Sequence, residues 1–248
     1  MSRVDIHFHI LPGVDDGPAD LSESIELAAA AAAEGTGTIV ATSHLRADMT
    51  VDVGKLADGL AELRHELARA EIEIELRLGA ELGHTMVSRL SQSELETVAL
   101  GPRGARWLLV ETPFDGLRAD FTAATDELRE RGFAVVLAHP ERAGGEAASR
   151  DGVLQYERQR GTVYQLNAWS LAGRHGGEAR IRALAMLADG EPVVIASDAH
   201  GGWRMPALEL GVHHAVANGF PRAAAERLVS SVPGRLIEQG VATPLPVG

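Results

Sequence analysis

Short apolar runs alternate with longer, more polar stretches along the whole chain. Seven β-like runs stand out: VDIHFHI, GTIVATS, IEIELRLGA, RWLLVET, FAVVLAH, TVYQLNA and PVVIASD. Between them lie Ala-, Leu-, Glu- and Arg-rich stretches of helix-forming composition, at about 20–34, 53–70, 119–131, 146–160, 177–189 and 206–218. Several of these end at a glycine, namely Gly35, Gly132, Gly161, Gly190 and Gly219, which suits a helix C-cap. Asp20 followed by Glu23 reads as an acidic capping-box variant opening the first helix. Strand, helix and strand repeated in this way imply parallel pairing. At 248 residues the pattern favours a closed or nearly closed (β/α) barrel, with an open doubly wound sheet as the alternative. No Pro/Gly/Ser-rich linker and no internal repeat divides the chain, so residues 1–248 read as one domain.

Barrel enzymes assemble their sites at the C-terminal ends of the strands, and the polar residues there are of one kind. Run one supplies His7 and His9, which strand alternation places on one face. Run two supplies His44, run three Glu81, run four Glu111, run five His139, and run seven Asp198 and His200. Asp16 lies on the loop after run one, while run six ends in Asn167, a weak ligand. Singly, each has an ordinary reading as a half-buried histidine, a helix cap or a solvated carboxylate. Jointly, at one rim, they point to a metal site.

The chain contains no cysteine, which excludes disulfides, thiolate ligands and a cysteine nucleophile. Nine N/O donors are too many for one tetrahedral zinc and suit two or three divalent transition-metal ions, with Glu81 or Asp198 able to bridge a pair. Mn, Fe and Zn are all compatible with such ligands. A multinuclear site generates hydroxide at neutral pH and clamps attacking and leaving oxygens, which serves phosphoester hydrolysis and also amide hydrolysis. Arg142 in AHPER and Arg204 in SDAHGGWR fall on the same rim. Their guanidinium groups suit phosphoryl oxygens, with support of a ligand carboxylate as the alternative role.

Charge narrows the partners. The formal net charge of −12 is unlike the basic face of a nucleic-acid or anionic-membrane binder. No apolar stretch is long enough to cross a bilayer, and no basic segment followed by an apolar one opens the chain. A cytoplasmic protein without membrane insertion is expected. The single lysine, Lys55, lies in a helix-like stretch away from any strand end, which argues against an amidohydrolase bridged by a carboxylated lysine. His65, His84, His213 and His214 read as surface or packing residues.

VDIHFHILPGVDDGP, IVATSH, GAEL, LLVETP, AHPER, QLNAWSLAGRHG and IASDAH, in this order, resemble the PHP (polymerase and histidinol phosphatase) superfamily. The bacterial protein-tyrosine phosphatase branch associated with capsular and exopolysaccharide export is the nearest in motif. The resemblance implies a distorted seven-stranded (β/α) barrel with three metal ions. His7, His9, Glu81 and Asp198 would hold the first ion, Glu81, Glu111 and His139 the second, and Asp16, His44 and His200 the third. It also implies a phosphotyrosine protein as substrate, such as a bacterial tyrosine kinase. Small-molecule phosphatases such as histidinol phosphatase are the alternative within the superfamily, and a PHP module without catalysis is the alternative outside enzymology. This chain departs from the family pattern at Ser43, Leu45, His175 and Met205, all on loops that would flank a substrate.

Overall fold

The structure, a computed structural model, describes residues 2–49, 51–190 and 192–241, without the side chains of residues 148 and 149. All strand pairs among the described residues are parallel. β1 (Arg3–Phe8), β2 (Thr36–Ala41) and β4 (Glu75–Leu78) form one ladder in the order β1-β2-β4. β3 (His44–Leu45), β5 (Glu81–Gly83), β6 (Trp107–Glu111), β7 (Ala134–Ala138), β8 (Val163–Asn167) and β9 (Val193–Ala196) form a second, in the order β3-β5-β6-β7-β8-β9.

The two ladders arise because β2 and β4, in the second and third predicted runs, are each followed after two residues by a further short strand just beyond the run. The breaks, at Thr42–Ser43 and Gly79–Ala80, lie side by side. Gly79 N–H donates to Ala41 O at 2.9 Å and Glu81 N–H to Ser43 O at 3.2 Å, so the chains stay in step across the gap. Gly79 is needed there, since a Cβ would sit 2.7 Å from Val40 Cγ1. At the other edge β1 meets the end of β9 without a regular ladder. Asp198 N–H donates to His7 O and His9 N–H to Ala199 O, both at 2.9 Å, and Phe8 bridges Ala199. The result is a distorted barrel of seven runs.

Side chains of alternate strand residues share one face, and on three strands that face runs from apolar to polar. Trp107 and Leu109 lead to Glu111, Val163 leads to Gln165 and Asn167, and Val194 and Ala196 lead to Asp198. Their apolar members join Val4, Ile6, Val136, Ala138 and Leu236 in a buried cluster inside the barrel. The polar members lie above it. α10 (Ser231–Gln239) covers the lower end, where the buried Trp107 Nε1 donates to Leu236 O at 2.8 Å.

The predicted helical stretches correspond within two residues to α1 (Leu21–Ala33), α2 (Val53–Arg69), α4 (Ala119–Glu130), α5 (Ala147–Gln159), α7 (Gly177–Ala188) and α8 (Leu208–Ala217). They form a second core against the outside of the strands; α2 buries Leu56, Leu60, Leu63 and Leu67 on one stripe. The five expected capping glycines all have positive φ, from 69° to 92°, one residue past the C-cap. Asp20 caps α1 by accepting from Glu23 N–H at 3.0 Å, but Glu23 reaches back to Ala19 N–H and not to Asp20. α3 (Gln92–Val98), α6 (Ala168–Leu171), α9 (Arg222–Leu228) and α10 fell outside the predicted pattern, being short or beyond the last strand. No described helix is long and apolar enough to cross a membrane.

Candidate metal centre

The barrel's upper rim gathers all nine sequence-nominated His, Asp and Glu residues. β1 reaches it through a register slip between Asp5 and Phe8. Because of that slip, consecutive residues Ile6 and His7 both reach the interior, Ile6 in the apolar cluster and His7 above it. His7 and His9 are fully buried, with Nε2 atoms 3.2 Å apart. His44 and Glu81 are register partners on the short strands β3 and β5. His139 and Asp198 close their strands with positive φ of 39° and 53°, conformations that cost a non-glycine residue energy and that cluster at functional sites.

Among the described residues, three groups of donor atoms lie within 4.8 Å of one another: His7, His9, Glu81 and Asp198; His9, Asp16, His44 and His200; and His44, Glu81 and Glu111. The first is the set implied by the resemblance, and the second adds His9 to the implied third set. The implied pairing of His139 with Glu81 and Glu111 differs: His44 joins those two carboxylates, while His139 Nε2 meets the other oxygen of Glu81, Oε1, at 3.0 Å.

Each carboxylate divides its oxygens. Glu81 Oε2 faces His7, His9 and His44 at 3.1, 3.3 and 3.1 Å. Asp198 turns Oδ1 toward His7 Nε2 at 3.2 Å, while its Oδ2 accepts from Asn167 Nδ2 at 2.8 Å and Arg142 Nη1 at 3.2 Å. Asp16 Oδ1 faces His200 Nε2 at 3.3 Å and its Oδ2 accepts from Arg204 Nη2 at 2.9 Å. Glu111 Oε1 accepts from Arg46 Nη1 at 3.3 Å. Both nominated arginines therefore reach the rim, each tied to a cluster carboxylate, and Arg46 is a third that the sequence reading did not single out.

Supporting residues fix the rings. His9 Nδ1 is 2.8 Å from Asp15 Oδ2, which also accepts from His44 N–H at 2.8 Å. His7 Nδ1 is 2.7 Å from Gln165 Oε1. Anchoring Nδ1 in this way leaves Nε2 of both rings for the cluster. Gly17 lies against this loop, where a Cβ would come within 2.9 Å of His9 O.

The electrostatics of the bare cluster are lopsided. Burial disfavours the charged His7 ring, but Glu81 and Asp198 outweigh it and hold it up at about 9. Burial likewise opposes His9, which Asp15 and Glu81 raise to about 10. Burial wins at His44, lowered to about 4, and at Glu111, raised to about 7 with help from the neighbouring Glu81. Burial also resists ionisation of Asp198, yet His7 and His139 hold it down at about 2. Glu81 Oε2, His44 Nδ1 and His200 Nε2 are buried without a hydrogen-bond partner although they face the other donors. Such orphaned atoms are costly unless a cation binds them, and a sulfur-free set of imidazoles and carboxylates suits divalent transition metals. The residues fit the metal group.

Of the histidines read as surface or packing residues, His65 is exposed on α2 and His213 and His214 pack ring to ring on α8, while His84, near Asp120 and Phe121, lines a cavity shared with Glu111. Lys55 is exposed on α2.

The chain matches, over residues 3–238, the family described as capsular polysaccharide synthesis, CpsB/CapC. It belongs to this family. Among CpsB/CapC relatives it is 30% identical over 201 residues to the tyrosine-protein phosphatase YwqE of Bacillus subtilis, covering 79% of this chain and 77% of that one. It is 33% identical over 200 residues to a protein named CapC from Staphylococcus aureus, covering 79% and 76%. Its fold superposes with a TM-score of 0.77, at 26% identity and 99% coverage of both chains, on a crystal structure from work on YwqE and on CpsB from Streptococcus pneumoniae, described as unique metal-dependent tyrosine phosphatases. Family membership agrees with the branch that the sequence motifs resemble.

Proposed function

We propose that this CpsB/CapC chain is a metal-dependent protein-tyrosine phosphatase, working as one catalytic unit in the cytoplasm on the phosphotyrosine of a polysaccharide-export kinase. The observation that carries the reading is the rim cluster of nine His, Asp and Glu donors, all buried but Asp16 and Glu111, bordered by Arg46, Arg142 and Arg204, in a chain whose relatives are named tyrosine-protein phosphatases. Two or three divalent ions, Mn, Fe or Zn, would be held by His7, His9, Glu81 and Asp198, by Asp16, His44 and His200, and by Glu81 with Glu111 and His139 or His44. Bound there, such ions supply a nucleophile from water at neutral pH and neutralise charge on phosphoryl oxygens.

The chain's own residues do the rest. Asp15 and Gln165 hold His9 and His7 in the tautomer and orientation their roles need. Arg142 and Arg204 each spend one guanidinium nitrogen on a cluster carboxylate, leaving donors for the equatorial oxygens of a phosphoryl group. A phenol leaves with less help than an alkanol, so an aryl phosphate suits a site without a dedicated acid. Steady-state kcat/KM on phosphotyrosine peptide, phosphoserine peptide and histidinol phosphate, with one metal throughout, tests the reading. Phosphotyrosine should be favoured. A clear advantage for histidinol phosphate would assign the chain to small-molecule hydrolysis, and no turnover with any metal would leave it a binding module.

A further inference from the structure

Two cavities flank Phe114 beside the centre, and they differ in charge. One, about 420 Å³, is lined by Phe114, Arg142, His175, Gly177, Glu178 and Arg182 among others. The other, about 440 Å³, has Arg46 but also Asp48, Glu111 and Asp115 in its wall. Phe114 stands 47% exposed between them, its ring 4.5 Å from the Arg142 guanidinium and stacked on the His139 ring at 5.4 Å. Its position is built: a Cβ on Gly144 would lie 2.0 Å from Phe114 O, so the loop after β7 packs against the loop after β6 as only glycine allows. His175 is fixed by a 2.9 Å hydrogen bond between Nδ1 and Ser170 Oγ, while its Nε2 is buried without a partner. Burial and Arg142 lower this ring to about 4, so it is a neutral wall at physiological pH.

We infer that the cavity bounded by Phe114, His175 and Arg142 is the aryl subsite, taking the tyrosyl ring of the substrate. The inference rests on the phosphatase reading above. Arg142 carries it, because that residue both lines this cavity and touches Asp198 in the centre, so a phosphoryl group at the centre has its ester oxygen at the cavity's threshold. Charge selects this cavity over its neighbour. In hydrolysis the oxygen of water bonds to phosphorus, the bond from phosphorus to the aryl oxygen breaks with its electron pair on that oxygen, and a proton from water ends there. Negative charge thus develops on the aryl oxygen, which Arg142 favours, Arg182 being paired with Glu178 at 3.3 Å, and which Asp115 on the other side would oppose, where Arg46 is paired with Asp48 at 2.9 Å. Phe114 supplies the exposed aromatic surface for the ring.

Four variants test this on metal-loaded enzyme: Phe114→Ala, Phe114→Trp, His175→Ala and Gly177→Leu. Gly177 lines the cavity, has no left-handed φ, and a Cβ there meets open space, so leucine fills the cavity without straining the fold. The readouts are kcat/KM for a phosphotyrosine peptide and the Ki of inorganic phosphate, which occupies the phosphoryl position alone. Phe114→Ala, His175→Ala and Gly177→Leu should each lower kcat/KM at least fivefold with Ki within twofold of wild type, and Phe114→Trp, which keeps an aromatic surface, should lose less than Phe114→Ala. If kcat/KM falls less than fivefold in either Phe114→Ala or Gly177→Leu, or Ki rises in step with the loss, the subsite is elsewhere. Failure of the wild type to hydrolyse phosphotyrosine would instead overturn the phosphatase reading itself.

Discussion

Replacing Asp15 with alanine should weaken metal binding although Asp15 itself holds no ion. Its side chain is fully buried and accepts three hydrogen bonds, from His9 Nδ1 at 2.8 Å, His44 N–H at 2.8 Å and Gly17 N–H at 3.0 Å. Burial resists its ionisation, but the bond to His9 dominates the remaining influences and lowers its pKa below the ordinary value, so it is a carboxylate at neutral pH. Hydrogen bonds to charged groups are worth about 1.5–3 kcal/mol each, and orphaned buried donors carry a further cost. Part of this loss falls on the metal-free fold and part on the ring geometry that binding needs. Partners of this kind typically contribute about ten- to a hundredfold in metal affinity, or about 1.4–2.8 kcal/mol. Asp15→Asn keeps the shape and, with its amide oxygen at Oδ2, keeps His9 and His44 while losing Gly17, so its loss should stay below about tenfold. Competition with a chelator of known affinity reads both variants. An Asp15→Ala protein that binds metal within twofold of wild type would refute the positioning role.

Asp198→Ala or His9→Ala should reduce kcat by about a hundredfold or more, since each disturbs the donors nearest the centre; retained turnover in both would remove those roles. Arg142→Ala should cost about ten- to a thousandfold in kcat/KM with metal content near normal, and loss of metal instead would make Arg142 a support for Asp198. In metal-free protein, burial raises Asp5 from its usual range to about 7, so the fold holds that proton more tightly than the unfolded chain does. Its contribution to stability is then complete below pH 4 and lost as pH rises through 7, and Asp5→Asn removes the effect. Urea unfolding from pH 4 to 8 should show wild type losing up to about 4 kcal/mol relative to Asp5→Asn, and a flat difference would reject the shift.

The candidate donors were legible because strand ends in a barrel converge whatever the details of the sheet. His7, His9, Glu111, His139 and Asp198 needed only the alternation of β-like runs. The further short strand that follows each of the second and third runs was not legible. GTIVATS and IEIELRLGA are continuous in composition, and only the close contact of Gly79 with Val40 marks the break that starts β3 at His44 and β5 at Glu81. The supporting residues were harder still. Asp15 stands beside Asp16 in the same acidic loop, and nothing in VDDG says which carboxylate turns to His9. Gln165 and Asn167 had a usable signal, since they are two apart on a strand and share the inward face with Val163. Arg46 had none, because its partner Glu111 is distant in sequence. α9 and α10 follow the last strand, where the strand–helix alternation that guided the reading has ended.

Counting ions against activity tests the central claim most directly. Chelated protein should be inactive on phosphotyrosine peptide, and stepwise addition of Mn should restore turnover only as two or three ions bind per chain, by elemental analysis of the same samples. Full activity with no more than one ion per chain, or activity that survives complete removal of metal, would contradict a multinuclear centre built from these nine residues.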